Sequence, residues 1–85
     1  MQIVAFILIN TGPGKAWDVS EAVSKMEGVK IAYAVTGPFD VIAYADVADI
    51  DAPKDLITKI HNIKGTQRTQ TAISVQGLKP ESMFS

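Results

Sequence analysis

The chain has 85 residues, enough for one domain but not for a large hydrophobic core. A globule of this size buries only about 60–65% of the surface that its unfolded chain exposes, so contacts with other chains are expected to support it. The absence of cysteine excludes a disulfide framework and thiolate metal sites. Eight basic residues against nine acidic ones, with no basic cluster, disfavour direct nucleic-acid binding.

The N-terminal segment MQIVAFILIN contains an apolar run that is too short to span a membrane. No Lys or Arg precedes this run, which disfavours a signal peptide. Its branched side chains predict a strand that is covered on both faces. We therefore expect a cytoplasmic protein that makes no membrane contact.

A helix is predicted between residues 15 and 27. Ala16, Val19, Val23 and Met26 recur there at spacings of three and four, which is typical of an amphipathic helix. Gly28 is expected to end it.

Two strands are predicted next, over residues 29–35 and 41–47, and they should form a hairpin around a corner at 36–40. A second helix is expected after Asp51, which is interpreted as its N-cap, with Pro53 in the first turn. A last strand is predicted over residues 66–75.

The resulting order is β-α-β-β-α-β, the ferredoxin-like arrangement of the α+β class. It consists of an antiparallel four-stranded sheet with both helices on one face. The domain is expected to cover residues 1–75, followed by a C-terminal tail at 76–85, where Gly77 and Pro80 break regular structure.

Both faces of the predicted sheet need burial. In the first strand Ile7 and Ile9 lie on one side, whereas Phe6 and Leu8 lie on the other. Two helices cover only one face, and an apolar patch as large as the other face is unusual on a soluble monomer. The sequence therefore predicts a homodimer built sheet to sheet.

Few side chains are candidates for catalysis. His61 is the single histidine, and it is interpreted as a solvated residue of the second helix rather than a catalyst or metal ligand. The TGPGK segment at 11–15 lacks the spacing of a phosphate-binding loop and is predicted to be a turn. Trp17 either packs under the first loop or faces a neighbouring subunit. No catalytic residue, metal site or cofactor is predicted.

The corner TGPFD at residues 36–40 is the candidate binding site. Gly37 and Pro38 are turn formers and Asp commonly caps its own turn, so a structural role explains them. A short hairpin nevertheless needs no aromatic residue, and Phe39 stands directly before the carboxylate of Asp40. Free N–H groups beside a carboxylate suit a zwitterion, because the amides bind its carboxylate and Asp40 binds its ammonium. Both interpretations stay open at this point.

Residues 2–75 resemble the effector-binding (RAM) domain of the Lrp/AsnC regulators, without their helix-turn-helix half. The most specific element is the family's Gly-x-Tyr-Asp corner, matched by Gly37, Pro38, Phe39 and Asp40. The segment 65–71 resembles the family's Gly-Val-x-x-Thr strand start. The chain departs from the family at Phe39, which replaces tyrosine, and at Thr66, which replaces valine.

The resemblance implies a dimeric α/β barrel that assembles into tetramers, octamers or larger rings and binds an amino acid between dimers near the corner. The ligand-binding residues that it implies are Gly37, Pro38, Phe39, Asp40, Thr69 and Thr71. It further implies a non-catalytic sensing module, acting on transcription only through a partner such as a full-length Lrp/AsnC regulator.

Two alternatives share this architecture. A small dimeric α/β-barrel enzyme, of the monooxygenase or isomerase type, needs a polar cavity between the helices and the sheet, where this sequence places aliphatic residues. An ACT-like domain shares the strand order and amino-acid ligands, but the GPFD corner favours the RAM domain.

Overall fold

The computed structural model describes residues 3–49 and 51–74. The predicted tail at 76–85 and Val75 lie outside the described residues. The order of elements is the predicted one, with these bounds: β1 (Ile3–Thr11), α1 (Ala16–Ser24), β2 (Val29–Ala34), β3 (Val41–Val47), α2 (Ala52–His61) and β4 (Thr66–Ser74).

The four strands form one sheet in the order β2-β3-β1-β4. Every neighbouring pair is antiparallel, so β1 and β3 lie in the centre and β2 and β4 are the edges. This is the ferredoxin-like arrangement, and the predicted fold class is confirmed. Neither helix in the described ranges is long and apolar enough to cross a membrane.

The core lies between the helices and one face of the sheet. It is filled by aliphatic side chains from β1, β3 and both helices: Ala5, Ile7, Ile9, Val41, Ala43, Ala45, Val19, Val23, Leu56 and Ile60. Ala16 and Met26 pack against the margin of this core. The helical stripe predicted in α1 is therefore confirmed, because it supplies the face that meets the sheet.

The other face of the sheet, called here the open face, carries large apolar side chains without a helix over them. Phe6 is 39% exposed, Ile31 41% and Tyr33 56%. The Phe6 and Tyr44 rings meet edge to face, with centroids 5.5 Å apart. Both faces are therefore apolar, as the sequence predicted.

The first helix is shorter than predicted, because it ends at Ser24 rather than near residue 27. The N–H of Lys25 donates to the carbonyl of Ala22 at 3.3 Å and the N–H of Met26 to that of Val23 at 3.0 Å, which closes the last turn. Gly28 then adopts a φ of +91°, which turns the chain into β2.

Asp51 stands at the N-cap position of α2, as predicted, but its side chain does not have the role of a cap. Asp49 has this role, since its Oδ1 accepts the N–H groups of Asp51 at 2.9 Å and of Ala52 at 2.8 Å. The Asp51 carboxylate instead lies 3.5 Å from the Lys54 ammonium. An aspartate side chain readily accepts the N–H groups two and three residues further along the chain. This explains why Asp49 binds the free N–H groups at the start of α2.

Candidate functional site

The corner lies at the end of the sheet where β1 finishes and β4 begins. The strand register places the corner there. Val41, which directly follows the corner at the start of β3, pairs with Ile9, and Thr66 at the start of β4 pairs with Thr11. The corner therefore meets the last residues of the central strand β1.

Asp40 connects the corner to β1 by hydrogen bonds of its backbone and of its side chain. Its N–H donates to the carbonyl of Ile9 at 2.9 Å. The N–H of Thr11 donates to its Oδ2 at 2.8 Å. The carbonyl of Asp40 also accepts the N–H of Val35 at 2.8 Å, which closes the corner on itself. The structural interpretation of Asp40 thus has direct support.

Asn10 holds the other half of the corner. Its Nδ2 donates to the carbonyl of Pro38 at 2.8 Å. Gly37, the preceding residue, has a φ of +125°, a conformation that residues with a side chain rarely adopt. Sequence reasoning missed Asn10, although its polar side chain directly follows the apolar run of β1.

Part of the corner's hydrogen-bonding capacity is unused within the described residues. The N–H groups of Gly37 and Phe39 have no acceptor there, and Oδ1 of Asp40 has no donor. Gly37 and Pro38 are exposed, whereas Phe39 and Asp40 are half-buried. Two free amides and one free carboxylate oxygen therefore lie within a span of four residues.

Thr69 and Thr71 lie on the opposite face of the sheet from Asn10. They pair with Ile9 and Ile7, whose side chains enter the core under the helices. The Thr69 hydroxyl lies 2.9 Å from Nε2 of His61, which is exposed at the end of α2, as predicted. The structure thus brings the four corner residues together and places the two threonines apart from them, and their role in binding stays a prediction.

The surface of the described residues also has hollows away from the corner. A groove of about 380 Å³ runs between α1 and β2, with Trp17, 72% exposed, on one side and Tyr33 on the other. Trp17 does not pack under the first loop. A second hollow, of about 360 Å³, lies between the end of α1 and the start of α2 and is lined by Glu27, Asp46 and Asp55, among others. No group of three or more metal-ligating side chains occurs among the residues that the structure describes.

The fold and the corner define a small βαββαβ domain with a candidate ligand site at one end of its sheet. The chain belongs to the Lrp/AsnC ligand-binding domain family, whose model matches residues 4–84. This confirms the resemblance seen in the sequence. The boundary predicted after residue 75 falls inside the matched range and stays a prediction.

The relatives are transcriptional regulators and structures of the same fold. An HTH-type transcriptional regulator of Pyrococcus abyssi, itself uncharacterized, is 33% identical over 73 residues, which are 85% of this chain and 46% of the relative. The chain thus spans about half the length of the curated relatives that it matches. A crystal structure of a Thermus thermophilus protein has a TM-score of 0.86 and 29% identity, covering 91% of this chain and 98% of that one. The structure of AsnC from E. coli has a TM-score of 0.78 and 27% identity, covering 88% of this chain and 52% of that one.

We expect Asp40→Ala to destabilise the protein by about 1–3 kcal/mol, because it leaves the Thr11 N–H without its charged acceptor. Asp40→Asn should retain most of the stability, since an amide oxygen still accepts that hydrogen bond. Urea unfolding at one fixed protein concentration measures both variants. Asp55→Ala, an exposed aspartate on α2, is the matched control, and equal stabilities for Asp40→Ala and this control would contradict the structural role.

Proposed function

We propose that this chain is a non-catalytic sensing and oligomerisation module whose corner binds an amino acid. The observation that carries the proposal is the pair of free N–H groups at Gly37 and Phe39 beside the free Oδ1 of Asp40. The amides suit the ligand's carboxylate, and Oδ1 suits its ammonium. Membership of a ligand-binding domain family supports the same assignment.

The remaining corner residues shape the site. Pro38 holds the backbone of the turn, and the Phe39 ring offers an apolar surface without the hydroxyl that the family's tyrosine has. Thr69 and Thr71 make weaker contacts if a neighbouring dimer extends the site around the end of the sheet. This extension belongs to the proposal.

A homodimer built through the open face is the second part of the proposal. The exposure of Phe6, Ile31 and Tyr33 supports it, because burying such side chains removes apolar area from water at about 25 cal/mol per Å². Further association of dimers gives a tetramer, an octamer or a larger ring. A ligand that binds between dimers stabilises the assembled state, by about 1.4 kcal/mol at ten times its Kd. The ligand concentration then controls how much of the protein is assembled.

In this proposal the module acts on transcription through a partner protein. A full-length Lrp/AsnC regulator in the cytoplasm is the partner that the relatives suggest. Co-purification of the two proteins tests this step, and failure to associate at micromolar concentrations would remove it.

No observation favours the enzyme alternative. It needs a polar cavity between the helices and the sheet, but fully buried aliphatic side chains such as Ile7, Val19 and Ile60 occupy that layer. The described residues therefore favour a binding site at the corner over an active site between the helices and the sheet.

We expect one chemical group of amino acids to raise the Tm of the protein. Asp40→Asn should lose this shift, because the amide can hold the Thr11 N–H but carries no charge for the ammonium. A thermal-unfolding screen of the twenty amino acids measures both proteins. A flat screen of the wild type would contradict amino-acid binding, and an unchanged shift in Asp40→Asn would contradict the role of Asp40.

We expect Phe6→Lys to convert the dimer to a monomer, because the variant places a charge in the centre of the open face. Thr58→Lys, an equal change of charge on the exposed side of α2, is the control and should remain dimeric. Sedimentation velocity measures both. A dimer that persists in Phe6→Lys at micromolar concentration would show that the subunits associate through another surface.

A further inference from the structure

Of the cationic side chains on the described strands, Arg68 is the one at the end of the sheet where the corner lies. It pairs with Asn10 across β1 and β4, so the two side chains share the open face. Directly paired residues have Cβ atoms about 4.5–5.5 Å apart, and Asn10 itself reaches the carbonyl of Pro38. An extended arginine side chain is longer than this separation, so its guanidinium can reach the corner.

The guanidinium is available for a ligand. The described strands carry two cationic side chains, Lys30 and Arg68, and Lys30 lies 3.7 Å from the Asp46 carboxylate. Arg68 is exposed and has no acceptor within the described residues. It also lies near the start of β4, which is an edge strand, so it stands at the margin of the open face.

The corner needs such a cation if its ligand is a zwitterion. Asp40 is the only charged residue of the corner, and it repels the carboxylate of the same ligand whose ammonium it attracts. The amides of Gly37 and Phe39 supply partial positive charge only. A guanidinium offsets the repulsion and binds a carboxylate through two parallel hydrogen bonds.

We propose that Arg68 binds the ligand's carboxylate and thereby selects ligands with a free carboxylate next to an ammonium. This inference rests on the proposed function of the corner. In this inference the ligand contact from β4 is made by Arg68, which shares a face of the sheet with Asn10. Thr69 and Thr71 lie on the other face.

The test compares Arg68→Ala and Arg68→Lys with the wild type in calorimetric titrations. The probes are an amino acid that raises the Tm in the screen of twenty and its α-carboxamide, which keeps the ammonium but lacks the carboxylate. Lys64→Ala is the matched control, because it removes an exposed positive charge from the turn just before β4. The Tm of each variant without ligand shows that it is folded.

The wild type should bind the amino acid about tenfold or more tightly than the carboxamide. Arg68→Ala should bind both probes equally weakly. Removing the arginine and removing the ligand's carboxylate would then have non-additive effects, which a merely structural role of Arg68 would not produce. Arg68→Lys should be intermediate, since it keeps the charge but not the two parallel hydrogen bonds, and Lys64→Ala should match the wild type.

Two results would overturn the inference, and they are distinguishable. If Arg68→Ala retains the preference for the amino acid over its carboxamide, the carboxylate binds elsewhere, whereas the proposed function stands. If none of the twenty amino acids raises the Tm of the wild type, the proposed function and the role of Arg68 fall together.

Discussion

The bond from the Thr11 N–H to the Asp40 carboxylate holds the end of the central strand β1 to the turn between two others. Around it, the Asp40 N–H donates to Ile9 and the Asn10 amide donates to Pro38, so three consecutive residues of β1 bind the corner. Each bond contributes on the order of 1 kcal/mol, and together they fix the backbone of an exposed turn. The unused amides of that turn are oriented as a result.

The structural and the binding interpretations of Asp40 are compatible because its two oxygens have different surroundings. Oδ2 is occupied by Thr11, and Oδ1 is free within the described residues. A carboxylate that is already held by the fold loses little side-chain entropy when it accepts a ligand's ammonium. Under the proposed function, a carboxylate at this position can accept the Thr11 N–H through one oxygen and a ligand's ammonium through the other.

Hydrophobic periodicity was sufficient to predict the fold and most of the core. The stripe of α1 and the alternation in β1 correspond to the side chains that fill the space between the helices and the sheet. The site was less predictable, because it depends on which residues pair across strands. Arg68 and Thr69 are neighbours in sequence, but they lie on opposite faces, and only the pairing with Asn10 and Ile9 shows which face meets the corner. The choice between Asp49 and Asp51 at the start of α2 depends similarly on local geometry that composition does not reveal.

The ligand is proposed to bind at the corner while the bond between the Thr11 N–H and Asp40 stays intact, and an NMR titration with an amino acid that raises the Tm is the first measurement to make. We expect the largest amide shifts at Gly37 and Phe39, and we expect the Thr11 amide to remain protected from hydrogen exchange. Shifts centred on the groove beside Trp17 and Tyr33, with the Gly37 and Phe39 amides unchanged, would contradict this proposal.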